Sequence, residues 1–286
     1  MSKSVWAGIF VWIALMVAAW WWMDGDKEQG RGVVYDVPRV VDPSLERGVP
    51  PDIRYPLPQP DPAPVIDHDG EAPPEEATAA EPAPPPLPAL EDSDEPLRDS
   101  LAELVGEAPI EALLLPDRLV EKLVLTVHRL DGKPLPQRFR PIQHTKGLLV
   151  TRPEGEQYRI SEQNYARYDR VVGLFAELDT GRTVDLYLRY YPLFQKAFAN
   201  LGETRHVYFN DRVIDIIDHL LEAPSFDEPP ALVRPKVLYR YADPAIENLS
   251  VGQKTLIRIG PAHAKRVKDK LRALRDEIIA RSNPAG

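Results

Sequence analysis

Proline is distributed so unevenly along this chain that it separates a part able to fold from a part that is not. Residues 38–96 contain 17 of the 31 prolines, and Asp, Glu and Ala fill most of the positions between them. Few apolar side chains remain there to offset the entropy of ordering the backbone, and proline itself breaks helices. We therefore predict that residues 24–96 are a disordered, acidic, Pro-rich tether and that residues 97–283 form one folded domain.

The charges divide at the same boundary. Residues 24–96 carry 18 acidic and 5 basic side chains, whereas residues 97–286 carry 26 acidic and 29 basic ones; with Lys3 these give the formal net charge of −9. A domain charge of +3 is too small to predict a nucleic-acid partner, which needs a concentrated basic face. The absence of cysteine excludes disulfides, thiol catalysis and cysteine-ligated zinc.

Residues 5–23 (VWAGIFVWIALMVAAWWWM) form an uncharged run of 19 residues that contains all five tryptophans. As a helix this run spans roughly 28 Å, close to the ~30 Å hydrocarbon core of a bilayer. We predict a single transmembrane anchor, with residues 1–4 cytoplasmic because Lys3 precedes it and acids follow it. The protein would then be a single-pass protein of a bacterial inner membrane, with its domain in the periplasm. The alternative is a signal peptide cleaved near Ala19.

Apolar residues recur at helical spacing through most of residues 97–283, which predicts a mainly α domain. A small β-hairpin near residues 147–161 is the one strand prediction, because GLLVTR and EQYRIS flank a Pro-Glu-Gly turn. Four helices are predicted at residues 97–105, 117–130, 165–178 and 180–202. The starts and ends of later helices are predicted by an Asn210 cap, an Asp243-Pro244 start, a Ser250/Gln253 capping box and a Gly260-Pro261 boundary.

Pro192 lies inside the predicted helix at residues 180–202. At 100° per residue Pro192 falls on the polar side, opposite an apolar stripe formed by Tyr187, Tyr191, Phe194 and Phe198. An interior proline costs about 3 kcal/mol, but on a solvated face the carbonyl it frees binds water and the helix bends. We predict a kinked, continuous helix; a helix boundary and a functional site are the alternatives.

No motif predicts a catalytic, cofactor-binding or metal-binding residue. The acidic face of the helix near residues 211–222 is typical of a solvated surface, with a divalent-cation site as the alternative. The fragment VGQKT lacks the adjacent Gly-Lys of a phosphate loop, and we reject that function. If a site exists, we expect it among six polar residues that lie between the aromatic residues of the helices: Arg167, Asp169, Asn210, Asp211, Arg212 and His219. Structural ion pairs are the favoured interpretation of these residues.

The last predicted helix has two faces. Its apolar face is formed by Val267, Leu271, Leu274 and Ile278. The other carries the basic residues Lys265, Arg266, Lys268, Lys270, Arg272 and Arg275. Because acidic residues interrupt this basic face, a solvated surface is favoured over a nucleic-acid or lipid site.

Six segments along the domain carry a family resemblance: NYARYD, YYPLFQKAFANLG, FNDRVIDIIDHLL, LYRYADPAIENLS, VGQKTLIRIGP and KLRALR. In these the chain resembles the bacterial family called domain of unknown function 3014, over about residues 87–280. The resemblance implies a single-span membrane protein with a Pro-rich tether. It implies no activity, cofactor or catalytic residue.

These observations favour a non-catalytic interaction module that docks a macromolecular partner of the cell envelope or cell wall. The first alternative is a cell-wall or glycan binder, because eleven aromatic residues lie between Tyr158 and Phe209, although their spacing favours packing. The second is a hydrolase, but the sequence has no nucleophile elbow or HExxH motif and its six histidines are scattered. We predict no enzymatic activity, no cofactor and no nucleic-acid partner.

Overall fold

The computed structural model describes residues 53–58, 86–142, 149–202 and 208–282. The described residues confirm the mainly α fold. Their helices are α1 (Asp94–Val105), α2 (Glu107–Leu113), α3 (Leu119–Arg129), α4 (Asp169–Glu177), α5 (Thr180–Ala199), α6 (Phe209–Leu221), α7 (Pro244–Glu247), α8 (Val251–Arg258) and α9 (Pro261–Arg281). Short 3₁₀ turns occur at Leu90–Asp92, Gln137–Phe139 and Glu162–Tyr168. The predicted helix at residues 165–178 is therefore a 3₁₀ turn followed by α4.

The hydrophobic core lies where α9 packs along α4, α5 and α6, and where α3 crosses α5 and α6. The stripes predicted at helical spacing are confirmed, because they are buried on both α5 and α9. On α9 the buried residues include Val267, Leu271, Leu274 and Ile278. Helical periodicity thus specifies which faces meet in the core.

Pro192 is exposed and α5 continues through it. The alternative of a helix boundary at Pro192 is therefore wrong. The neighbouring Leu193 and Phe194 are buried, so the proline occupies a solvated position between core residues. A carbonyl freed by the missing proline N–H is tolerated best on such a face.

The predicted helix caps have mixed outcomes. Asp243 accepts the Ala245 N–H, and Ser250 accepts the Gln253 N–H, as predicted. The Gln253 side chain, however, donates to the carbonyl of His219, so the capping box is only half formed. The Asn210 cap is wrong: α6 begins at Phe209, and Asn210 is a fully buried residue of its first turn.

A four-stranded antiparallel sheet joins the helices, in the order β1 (Thr151–Glu154), β2 (Gln157–Ile160), β3 (Leu232–Val233) and β4 (Arg240–Tyr241). The predicted hairpin is β1–β2, with Pro153 inside β1 and Gly155 in the turn at φ 60°. The two-residue strands β3 and β4 were not predicted. The sheet covers a second, smaller core.

The prediction of a disordered tether over residues 24–96 is wrong for two stretches. Residues 53–58 lie against the helical domain, and residues 86–96 join it through the 3₁₀ turn and the start of α1. In each stretch a leucine is buried in the main core, Leu57 in the first and Leu90 in the second. The rest of the tether lies outside the described residues.

The predicted anchor at residues 5–23 also lies outside the described residues. Among the helices of the described residues, none has both the length and the apolar character needed to cross a bilayer.

Candidate functional site

Residues 53–58 (IRYPLP), here called the strap, dock where α6 begins. Because positions 56 and 58 are prolines, residues 54–58 have only three backbone N–H groups, and the domain accepts all three. Arg54 and Tyr55 donate to the two carboxylate oxygens of Asp211, each over 3.0 Å, and Leu57 donates to the Tyr208 hydroxyl over 2.7 Å. The domain therefore binds chiefly the main chain of the strap.

Asp211 is the central acceptor of this site. It lies in the first turn of α6, and with the strap in place the residue is only 7% exposed. A carboxylate at this position is stabilised by the positive end of the helix dipole, and bonds to a charged acceptor are stronger than neutral ones. The acidic face predicted as ordinary solvated surface therefore begins with a buried carboxylate that binds a peptide backbone.

Asn210 binds a carbonyl of the strap through its side chain. Its Nδ2 donates to the carbonyl of Tyr55 over 2.9 Å. Its Oδ1 accepts the Tyr187 hydroxyl over 2.9 Å, and this bond fixes the orientation of the amide. Burial raises the pKa of Tyr187 well above its ordinary value, so this hydroxyl is a neutral, permanent donor.

A polar and aromatic network supports the start of α6. The Tyr191 hydroxyl donates to Gln195 Oε1 over 2.9 Å, and the same oxygen accepts the Phe209 N–H over 2.8 Å. The Tyr208 ring packs on Tyr191 with centroids 5.6 Å apart. Burial raises the pKa of Tyr191, which keeps the network uncharged. Because the first turn of α6 is fixed in this way, Asp211 is held in position for the strap.

Two arginines lie at the rim of the strap site. The Arg54 guanidinium contacts Asp215 over 2.6 Å, and this hydrogen bond raises the arginine pKa. Arg275 forms a two-pronged contact with Asp218. The Arg54–Asp215 pair is half-exposed and contributes little to the free energy of strap docking. The pair therefore selects for a basic residue at position 54 but does little to hold the strap in place.

The six residues named from the sequence do not form one site. Asn210 and Asp211 contact the strap, whereas Arg212 points to the end of α3 and binds both carboxylate oxygens of Asp131 over 2.8 Å. His219 pairs with Ser250 over 2.8 Å at the start of α8. Asp169 pairs with His263 over 2.9 Å, and Arg167 lies in the 3₁₀ turn before α4. Most of these residues join helix ends.

The basic face of α9 is smaller than the sequence suggests. Lys268 donates to the carbonyl of Ala223 and Lys270 to the carbonyl of Leu178, just beyond the last residues of α6 and α4. Burial lowers the pKa of both ammonium groups. These two lysines close helix C-termini, where cations are favourable, and do not belong to a solvated basic surface.

The VGQKT fragment has a packing role. The Gly252 N–H donates to the Leu130 carbonyl over 2.9 Å, and a Cβ at Gly252 would lie only 2.9 Å from the same oxygen.

Within the described residues no group of three or more histidine, aspartate or glutamate side chains converges as metal ligands.

Sequence reasoning missed both Tyr208 and the strap. One signal was available: Tyr55 is the only Phe, Trp or Tyr between residues 38 and 96. An isolated aromatic residue next to proline and leucine, within an otherwise acidic tether, marks a segment able to bury apolar surface.

Comparison with known proteins gives a family and no function. The family described as "Protein of unknown function (DUF3014)" matches residues 119–275, which is more than half of the chain. No curated protein and no solved structure matches it. The matched stretch runs from α3 into α9, so it includes α6 with Asn210 and Asp211 but not the strap. The chain therefore belongs to the DUF3014 family.

Proposed function

We propose that this protein is a membrane-tethered, non-catalytic interaction module that docks a protein partner of the cell envelope at the strap site. In this proposal residues 5–23 anchor it in a bacterial inner membrane, residues 1–4 remain in the cytoplasm, and the helical domain lies in the periplasm. The proline-rich residues beyond the anchor provide reach.

The observation that supports this function is the completeness of main-chain recognition. Three side chains of the domain, from Tyr208, Asn210 and Asp211, bind four backbone groups of a six-residue segment. A carboxylate that accepts two backbone N–H groups binds them more strongly than a neutral oxygen would, because the acceptor carries a charge. Such a site is suited to peptide binding.

A glycan-binding function has less support. A sugar-stacking platform requires an exposed aromatic ring, but eight of the eleven aromatic residues between Tyr158 and Phe209 are buried and the other three are partly buried. Their rings pack on one another inside the core, as in the Phe198–Phe209 pair with centroids 5.3 Å apart. Packing accounts for them.

A hydrolase is the remaining alternative. The polar residues suggested by the sequence are divided among separate helix ends, where they form pairs such as Arg212–Asp131 and His263–Asp169. These pairs connect structural elements, and the protein–protein function needs no further chemistry from them.

Crosslinking followed by affinity purification from cells that make the full-length protein tests the docking function. Wild type, Tyr208→Phe and the control Asp269→Asn are compared at equal protein levels. Tyr208→Phe deletes the hydroxyl that accepts the Leu57 N–H, whereas Asp269 pairs with Lys265 on an exposed part of α9. We expect at least one envelope protein to be recovered with wild type and control and lost with Tyr208→Phe. An identical set of proteins from all three would contradict the proposal.

The placement across the membrane has its own test. A reporter that is active only outside the cytoplasm, fused after Gly286, is expected to be active. Activity of a cytoplasm-only reporter at the same position would reverse the orientation, and a mature protein cleaved near Ala19 would exclude the anchor.

A further inference from the structure

We infer that the strap is a built-in competitor for the partner, and that the partner presents a peptide of the same chemistry: a basic residue, an aromatic residue, proline, an aliphatic residue and proline. This inference rests on the proposed function, because it assigns the ligand and the regulation of the strap site. It follows from which strap groups the domain binds and how few of them are buried.

The positions of the two prolines define the first part of the ligand chemistry. In residues 54–58 every N–H that exists is donated to Asp211 or Tyr208, and positions 56 and 58 have none to donate. Proline also restricts φ at its own position and disfavours helical backbone at the residue before it. The strap sequence is therefore held close to one backbone conformation before it docks, which reduces the entropy lost on binding.

The side chains define the second part. Leu57 is 6% exposed and packs in the main core, and Tyr55 is partly buried against the same core. Arg54 reaches Asp215 at the rim and lies 5.6 Å from the centroid of the Tyr55 ring. A partner peptide with these residues would make the same contacts. An acidic residue in place of Arg54 would be repelled by Asp215.

The strap is held weakly enough to be exchanged. Of its six residues only Leu57 is buried, while Ile53, Arg54 and Pro58 are exposed. Residues 59–85 connect it to the domain, so it competes as an intramolecular ligand with an effective concentration on the order of 1 mM. A partner in solution binds only if its concentration and affinity together outweigh those of the tethered strap. A strap that cannot dock leaves the site open.

The test measures binding of a fluorescent synthetic peptide with the sequence of residues 52–60 (DIRYPLPQP) to the purified full-length protein, by fluorescence anisotropy. Leu57→Pro removes both the buried side chain and the N–H that Tyr208 accepts. Arg54→Glu is a second strap variant, and Ile53→Ala, at an exposed position, is the matched control. Unchanged far-ultraviolet circular dichroism shows that each variant is folded.

We expect the peptide to bind Leu57→Pro at least about tenfold more tightly than wild type or the Ile53→Ala control, because the intramolecular competitor is lost, and Arg54→Glu to show a gain in the same direction but smaller. Adding Tyr208→Phe to Leu57→Pro should abolish the gain, and a scrambled peptide should not bind. Equal affinity for wild type and strap variants, or no binding by folded variants up to about 1 mM, would overturn the inference.

The crosslinking experiment separates this inference from the proposed function. If the partner is recovered more strongly with Leu57→Pro than with wild type, and lost with Tyr208→Phe, both are supported. Equal recovery with wild type and Leu57→Pro, together with loss in Tyr208→Phe, would overturn only the inference. Recovery that neither substitution changes would overturn the proposed function.

Discussion

Replacing Asp211 by asparagine tests whether a single carboxylate holds the strap. The two side chains have nearly the same shape, but asparagine has one acceptor oxygen and presents an NH₂ group where the second N–H of the strap points. Each of the two bonds, now 3.0 Å long, has a charged acceptor and contributes about 1.5–3 kcal/mol. We expect Asp211→Asn to weaken strap docking by about 2 kcal/mol, which raises the undocked population about 30-fold.

Limited proteolysis measures this population directly, because Arg54–Tyr55 is a trypsin bond inside the strap. When opening is fast relative to cleavage, the rate of cleavage follows the undocked population. Cleavage after Arg47, which precedes the strap, reports the trypsin dose in the same sample. Tyr208→Phe removes one bond to a neutral acceptor, about 1 kcal/mol, and should accelerate cleavage about fivefold, so the two variants form a graded series.

The control for this series is Asp269→Asn, an acid-to-amide change on an exposed part of α9. It should leave the rate at Arg54 unchanged relative to Arg47. If Asp211→Asn also leaves this ratio unchanged while the domain stays folded, then the main-chain bonds do not hold the strap and the assignment of the site is wrong.

Three further predictions concern the domain and are each checked by urea-induced unfolding. Pro192→Ala, at an exposed helical position, should raise the free energy of unfolding or change it by less than about 1 kcal/mol. Phe194→Ala, in the core, should lower it by roughly 3–5 kcal/mol. A larger loss of stability in Pro192→Ala than in Phe194→Ala would mean that Pro192 is packed. Gly252→Ala should destabilise by at least about 1 kcal/mol, because the new Cβ meets the Leu220 side chain and a backbone carbonyl; a neutral effect would show that α8 shifts freely. Burial raises the pKa of Tyr241 to about 12, so the unfolded chain loses this proton first above about pH 10, and Tyr241 lowers stability by up to about 1.4 kcal/mol per pH unit towards pH 12. Burial also raises the pKa of Tyr187 and Tyr191, which add slopes of their own. Tyr241→Phe should therefore reduce the total slope by the Tyr241 contribution, and an unchanged slope would refute the role assigned to this residue.

The helical part of the fold was predictable because its signals are repeated. On α5, α6 and α9 an apolar residue returns every three or four positions, so the buried face is specified many times over. The same reasoning placed Pro192 on the solvated side. The strands β3 and β4 have two residues each, which is too short for any periodicity, so only the tertiary structure reveals them.

The site was less predictable because it depends on which partner a polar side chain selects. Asparagine is a common residue at helix N-caps, yet the amide of Asn210 is oriented by the Tyr187 hydroxyl and donates to the strap. Lys268 has the position of a surface lysine, yet it reaches the carbonyl of Ala223. These partners come from segments 23 to 155 residues away in sequence, and local patterns contain no information about them.

The strap changes what the tether does. With the strap undocked, residues 24–85 separate the proposed anchor from the domain, and these 62 residues span roughly 45 Å as a flexible coil and about 190 Å as an extended polyproline chain. With the strap docked, only residues 24–52 separate the anchor from the domain, and the corresponding spans are roughly 30 Å and 90 Å. If the proposed anchor and partner exist, a peptide that takes the place of the strap would release the domain to reach about twice as far in the extended limit. Partner binding and distance from the membrane would then be one equilibrium at Asp211.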